Sequence, residues 1–355
     1  MTFPTSLPKS RVAPPMEAPA LRWGILGSGW IAEQFIASVR AHTRQDIAAV
    51  GSRSQSKADV FALAQGIATA HGSYEALVAD PSLDVIYVAT PHNLHHAHVT
   101  LAVEAGKPVL VEKPMALDRT HAAEMVAIAR AKGVFFSEAL WTYFLPKFDV
   151  LQQVFESGIL GEIRSVHTEY GEFFTRDHRI FNPRLAGGPL LDLGTYPVSL
   201  LAKLLGVPRQ VIGVAQADPS GVHGQLSVIL LDAAGNQGTM SSTLYGFTPT
   251  NAVIVGTGGT VRFGSEFNLP GPFEVRSADG ATVLNYNEPV GRHFEGLFYE
   301  AAEVARCITA GATETASRPL QATLDTMAAL DAIRAATGIE FSAASASALD
   351  ATRRE

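Results

Sequence analysis

The stretch Gly27-Ser28-Gly29-Trp30-Ile31-Ala32 joins an apolar run at 21–26 to a helical pattern at 31–41. A strand that turns through closely spaced glycines into a helix leaves few folds open. The first glycine permits the tight turn, and the second lets an anion approach the backbone. A small third residue lets helix and strand pack closely. The helix start then offers N–H donors and partial positive charge to a phosphate. In this context the G-x-G-x-x-A pattern points to dinucleotide binding rather than to an ordinary glycine turn.

The alternation continues beyond that turn. Runs at 47–50, 85–89, 109–111 and 134–136 read as strands; 57–65, 74–79, 97–105 and 120–132 read as helices. Strands separated by helices predict a parallel sheet covered on both faces, a Rossmann-type α/β domain. After Glu138 the pattern changes. A helix at 147–156 and a strand at 163–170 lead to a helix at 190–205 that Pro197 should kink. Strand-like runs follow at 211–215, 226–231, 239–245, 252–255, 260–263 and 273–276. Without helices between them, they predict an open, mostly antiparallel sheet in a second α/β domain. Helices at 294–309 and 320–337 close the chain, the first expected to return and brace the first domain. The expected division is an arm at 1–20, a Rossmann domain at 21–138, a substrate and oligomerisation domain at 139–340, and a tail at 341–355. The arm carries Pro4, Pro8, Pro14, Pro15 and Pro19 and reads as mobile, or extended on the surface.

Composition narrows the function classes. With 47% apolar and 17% charged residues over 355 positions, the chain has material for two cores and is not disordered. A net charge of -7 argues against nucleic acid, which requires a basic face. Cys307 is the one cysteine, so neither an internal disulfide nor a thiolate metal site is expected, and a reducing, cytoplasmic setting is. It reads as a packing residue on a terminal helix. No apolar run approaches the ~20 residues that a bilayer demands. His92, His95, His96 and His98 crowd one segment, but no cysteine or nearby carboxylate completes a shell, so no metal is expected.

Three constellations carry chemistry. The end of the second strand reads Gly51-Ser52-Arg53-Ser54, where NAD sites usually carry an acid for the ribose hydroxyls. Arg53 offers a planar partner to a 2′-phosphate, and Ser52 and Ser54 add hydroxyls, so NADP is expected ahead of NAD. Glu112-Lys113-Pro114 follows an apolar strand, which aims Lys113 at the crevice where nicotinamide would lie. Asp192 and Tyr196 are spaced i,i+4 and should share one helix face. Trp141, Phe173 and Phe174 read either as core aromatics or as a stacking wall for a sugar or cyclic diol. Arg176 and His178 read either as binders of substrate hydroxyls or as a solvated loop. Gly256, Gly258 and Gly259 read as a hairpin turn.

Taken in order, Gly27 to Ala32, Glu112-Lys113-Pro114 and Gly187-Gly188-Pro189-Leu190-Leu191-Asp192-Leu193-Gly194-Thr195-Tyr196 resemble the Gfo/Idh/MocA oxidoreductases. The resemblance spans about residues 21–337. Glu138-Ala139-Leu140-Trp141-Thr142, followed by Phe144, is similar to the dihydrodiol dehydrogenase and NADP-dependent D-xylose dehydrogenase branch. The resemblance implies a Rossmann domain, a second domain with an open sheet, and a homodimer or homotetramer formed across that sheet. It implies that Lys113, Asp192 and Tyr196 line the catalytic site, and that Thr90, Pro91, His92, His95 and Glu112 line the cofactor pocket. The implied substrate is a sugar or cyclic diol. Some relatives retain NAD and cleave glycosides, and one is a cofactor-binding regulator.

The chemistry fits these residue types. Oxidising an alcohol needs a hydride acceptor and a base for the hydroxyl proton. A phenol, with a pKa near ~10, becomes a useful base when a lysine cation lies close to it. Tyr196 is the expected acid/base, Lys113 its electrostatic partner and Asp192 the orienter. The reverse assignment, with Lys113 as base, stays open.

Overall fold

The computed structural model describes residues 3–264 and 266–341. These form two compact units. One comprises residues 13–144 and 293–320; the other comprises the described residues of 3–12, 145–292 and 321–341.

The first unit is built on strands β1 (Arg22–Leu26), β2 (Asp46–Gly51), β3 (Thr69–His71), β4 (Val85–Val88), β5 (Val109–Glu112) and β6 (Phe136–Ala139). Among the described residues they form one parallel sheet in the order β3-β2-β1-β4-β5-β6. The order reverses between β1 and β4, so their carboxyl ends make the switch point where such sheets bind ligands. Every residue of β4, β5 and β6 is buried, as an apolar strand covered on both faces must be. Helices α1 (Trp30–His42), α2 (Gln55–Gln65), α3 (Tyr74–Val78), α4 (His95–Glu104) and α5 (Arg119–Lys132) supply the cover. Phe35 of α1 stacks on Tyr87 of β4 at 3.9 Å and meets Trp23 of β1 at 5.5 Å. Helix Leu297–Thr309 packs on α1 and buries Leu297, Phe298, Ala301, Val304 and Ala305, the brace expected of it.

Two details differ from expectation in this unit. Its last strand runs Phe136–Ala139 rather than 134–136, so Glu138 lies within the sheet. Short β3 is a strand that the sequence pattern did not reveal.

The second unit opens with α6 (Pro146–Glu156), β7 (Ile163–Gly171), α7 (Pro189–Asp192) and α8 (Thr195–Leu205). The remaining strands are β8 (Gln210–Ala217), β9 (His223–Leu231), β10 (Gln237–Thr243), β11 (Ala252–Gly256), β12 (Gly259–Phe263), β13 (Phe273–Ser277) and β14 (Val283–Tyr286). Their order is β14-β13-β12-β11-β7-β10-β9-β8, and only the β7–β10 pairing is parallel among the described strands. Helix α8 covers β7 and β10. Leu226, Val228, Leu230 and Met240 are buried, while Ile212, Val214 and Ile229 are exposed, the period-two division of a sheet covered on one face.

The helix expected at 190–205 is two helices, and its break is not at Pro197. Gly194 N donates to Pro189 O at 2.8 Å and closes α7. Pro197 lies in the first turn of α8, where its missing N–H had no intrahelical partner to lose. Asp192 and Tyr196 therefore stand on consecutive helices, and the shared-face argument does not apply to them.

The arm is extended and held. Arg11 N donates to Asp149 Oδ2 at 2.6 Å, its guanidinium reaches Asp149 and Glu156, and Gln153 Nε2 donates to Lys9 O at 3.0 Å. Further along, Arg306 Nη2 donates to Pro14 O at 2.8 Å. The expected tail lies outside the described residues apart from Phe341, over which Arg334 stacks at 4.3 Å. No helix among the described residues is long and apolar enough to cross a membrane.

Candidate active site

The turn after β1 has the shape of a phosphate cradle. Gly27 adopts φ 110°, and a Cβ on it would stand 2.9 Å from Ala89 O. Gly29 caps α1 with no side-chain hydrogen bond, and a Cβ there would meet nothing within 4 Å. Orphan N–H donors thus face open space at a helix start, which suits a pyrophosphate. Ala32 is fully buried, while Ser28 and Trp30 are exposed and Ile31 half-buried.

At the end of β2, Ser52 is buried and its N–H donates to His71 O at 3.1 Å. Arg53 is exposed, and Ser54 stands at the N-cap of α2 with its hydroxyl 3.4 Å from that of Ser56 rather than on a helix N–H. The Arg53 charge reaches Tyr74 and His98, whose rings meet at 4.6 Å. Burial pushes the His98 imidazole down to about 4. No carboxylate occupies residues 51–54, so these residues fit a 2′-phosphate as well as a ribose.

After β4, Thr90 and His92 are buried and Pro91 is exposed. His95 lies deeper than a pocket residue would: its Nδ1 is 2.9 Å from Pro114 O and its Nε2 is 2.8 Å from Thr90 O. Burial, then the neighbouring His92, pushes it down to about 3. The neutral ring has one N–H to donate and stands between the loop after β4 and the loop after β5.

Glu112 ends β5, accepting from the Tyr87 hydroxyl and from Lys113 N at 3.1 Å. The Lys113–Pro114 bond is cis, and Lys113 is half-buried. His293, in a 3-10 turn at His293–Glu295, is pushed down to about 4 by burial and by the Lys113 charge. Its ring lies 5.2 Å from Trp141 and 6.0 Å from Trp30. Trp141 is buried, a core aromatic against His293. Beside these groups, Glu138 accepts from Arg318 at 3.0 and 2.9 Å and from Met115 N at 3.0 Å. Glu300 is fully buried, and its carboxyl oxygens accept no hydrogen bond from the described residues. Burial, reinforced by Glu112 and Glu138, holds that carboxyl well above the usual range. The sequence reading missed both His293 and Glu300; neither belongs to a motif.

In the second unit, Tyr196 is buried and its ring lies 5.8 Å from that of Tyr170. Asp192 Oδ2 is 3.1 Å from Arg179 Nη2. His178 is half-buried and stacks on Phe174 at 4.6 Å, and burial together with Arg179 pushes it down. Arg176 is engaged away from these groups: its Nη1 lies 2.6 and 2.5 Å from the two oxygens of Asp218. Phe173 is exposed. Among the described residues no group of His, Cys, Asp and Glu is arranged to hold a metal ion.

Comparison with known proteins agrees along nearly the whole chain. Residues 21–140 match the model of an oxidoreductase family with an NAD-binding Rossmann fold, and residues 148–262 match the GFO/IDH/MocA C-terminal domain. The trans-1,2-dihydrobenzene-1,2-diol dehydrogenase of Bos taurus is 34% identical over 332 residues, covering 91% of this chain and 98% of the relative. The chain belongs to the Gfo/Idh/MocA oxidoreductase family. The Homo sapiens enzyme of the same name is 33% identical over 331 residues, with 91% and 98% covered. As a member, the protein is an NAD(P)-dependent oxidoreductase. Its fold is shared with levoglucosan dehydrogenase in complex with NADH and levoglucosan (TM-score 0.80, 19% identity, 90% of this chain and 98% of that one). It is shared equally with a 3-ketoreductase from Actinomadura kijaniata in complex with NADP and TDP-benzene (TM-score 0.77, 23% identity, 90% and 98%).

Proposed function

We propose that this Gfo/Idh/MocA protein is an NADP-preferring dehydrogenase that oxidises a hydroxyl-bearing carbon of a cyclic polyol, an aldose of the D-xylose or D-glucose type first. The observation that carries the cofactor choice is Arg53 at the end of β2, with no carboxylate in the segment around it. The cradle residues Gly27 to Ala32 hold the pyrophosphate, and Ser52, Arg53 and Ser54 hold the adenosine side. Thr90, Pro91, His92 and Glu112 shape the nicotinamide side, with His95 bracing their loops. When bound, the nicotinamide supplies the hydride acceptor.

On the protein side, this reading assigns the hydroxyl proton to Tyr196, a cationic, hydrogen-bonding role to Lys113, and orientation of the hydroxyl to Asp192. A buried phenol is a poor base until a cation offsets its charge. His178 and Phe173 complete the substrate side in this reading. A second reading, oxidation of a trans-dihydrodiol, is supported by relatives of that name at 34% identity. Reduction of a sugar ketone is the same chemistry reversed.

The open face of the second sheet supports association of two or four copies. Ile212, Val214 and Ile229 are exposed there beside a hollow of about 410 Å³ between β8, β9 and β10. Such apolar exposure is characteristic of a surface that pairs.

The test is the rate of NADPH formation on a panel of aldoses, inositols and trans-dihydrodiols, repeated with NAD. Turnover on a ring polyol with NADP ahead of NAD is expected. Cofactor binding with no turnover on any of them would overturn the assignment in favour of a binding protein.

A further inference from the structure

We propose that Arg179 is a positioning residue for Asp192, held to that task by a clasp on the loop between β7 and α7. The proposal rests on the reading above of Asp192 as the group that orients the substrate hydroxyl.

Three independent contacts fix the loop. Arg176 closes on Asp218 in the β8–β9 turn, and its guanidinium covers the Phe181 ring at 4.8 Å. Asp218 also accepts from Tyr245 Oη at 2.7 Å and from Ser220 N at 2.9 Å, so one buried carboxylate joins three segments. Beneath them lies an apolar cluster of Ile180, Phe181, Leu193, Val222 and Leu244, against which Tyr170 and Phe174 pack. The third contact is between backbones. Gly188 N donates to Ile180 O at 2.8 Å and Gly187 N to Asn182 O at 3.1 Å, and a Cβ on Gly187 would collide with both carbonyls.

The turn Arg179–Phe181 and the start of α7 are therefore pinned against each other. From that base Arg179 Nη2 reaches Asp192 Oδ2 at 3.1 Å. The two side chains are 53% and 15% exposed, so the pair contributes little to stability in water. Its consequence is orientational. An aspartate that aligns a hydroxyl must point one way, and a guanidinium reaching it from outside the helix supplies that condition. His178, the titratable neighbour beside Arg179, is pushed down by burial and by that cation, with Asp192 and Asp177 pulling the other way.

The test compares Arg179→Ala, Arg179→Lys and Asp192→Asn in the full chain, with NADPH binding and melting temperature measured alongside turnover. Misplacing an orienting group costs on the order of 10²-fold, so Arg179→Ala should lower kcat by about that factor and leave the NADPH Kd and melting temperature unchanged. Guanidinium ion in the buffer should restore part of the lost rate, and Arg179→Lys should retain part of it. Wild-type kcat in Arg179→Ala, with Asp192→Asn impaired, overturns the proposal and leaves the reading of Asp192 standing. A loss in Arg179→Ala that comes with a lower melting temperature and no guanidinium rescue also overturns it, since the role is then structural. Wild-type kcat in Asp192→Asn removes the reading of Asp192 and the proposal together.

Discussion

In the parallel-sheet unit the groups assigned to chemistry stand at strand ends: Gly27 after β1, Arg53 after β2, Thr90 after β4 and Lys113 after β5. In the other unit, Asp192 ends a helix of one turn and meets Arg179 of the preceding loop, while Tyr196 opens the next helix against Tyr170 of β7. Backbone register places the first set, and each member lies beside its own motif. Side-chain contacts across distant segments place the second set. Substitutions should separate the two kinds of placement. At a strand end they should alter one function and leave the fold intact; in the clasp they should alter fold and function together.

The largest effect is expected at Tyr196. Tyr196→Phe removes the proposed proton acceptor and should lower kcat by about 10²- to 10⁴-fold, with NADPH affinity, read by fluorescence titration, unchanged. Next is Arg53→Glu, a strand-end change. Loss of a charge-assisted pair to the 2′-phosphate should lower kcat/KM for NADP by about 10- to 100-fold, leave NAD nearly untouched, and reverse the preference.

Asp218→Asn tests the clasp. The buried carboxylate would be raised by burial alone, but bonds from Arg176, Ser220 and Tyr245 outweigh that and hold it well below the usual range. A depressed carboxyl contributes stability above its unfolded value of about 3.9, and that contribution is lost as pH falls through the folded value. Asp218→Asn should therefore lower the melting temperature at neutral pH, by about 1–3 kcal/mol of stability, and the gap from wild type should narrow in acid.

The smallest effect has the opposite sign. Glu300 is raised, so its stability is fully present below about 4.3 and is lost as pH rises through the folded value. Glu300→Gln should melt higher than wild type above about pH 5, with a gap that grows with pH. A gap independent of pH would show that the Glu300 carboxyl is not raised.

The first unit was largely legible because buried parallel strands read as uninterrupted apolar runs and their ends carry the motifs. Edge strands were harder. Thr69-Ala70-His71 and Val283-Leu284-Asn285-Tyr286 are short and only partly buried, so neither shows a clear pattern. The break between α7 and α8 was hidden because Leu190 to Leu201 is buried apart from half-buried Asp192, so no exposed stretch marks it, while Pro197 drew attention to the wrong residue. Arg176 was legible as a polar loop residue, but its partner Asp218 is set by tertiary contact. His293 and Glu300 were beyond sequence reading for the same reason. Each is a single polar residue whose meaning comes from groups far along the chain, Lys113 for one and Glu112 with Glu138 for the other.

The most direct test of the central claim follows the hydrogen. The wild-type enzyme is supplied with NADP and a polyol from the active panel, deuterated at the carbon bearing the reactive hydroxyl. Mass spectrometry of the released cofactor should show NADPH carrying one deuterium per oxidised substrate. Turnover that releases product with no net NADPH, or NADPH without the label, would contradict the assignment.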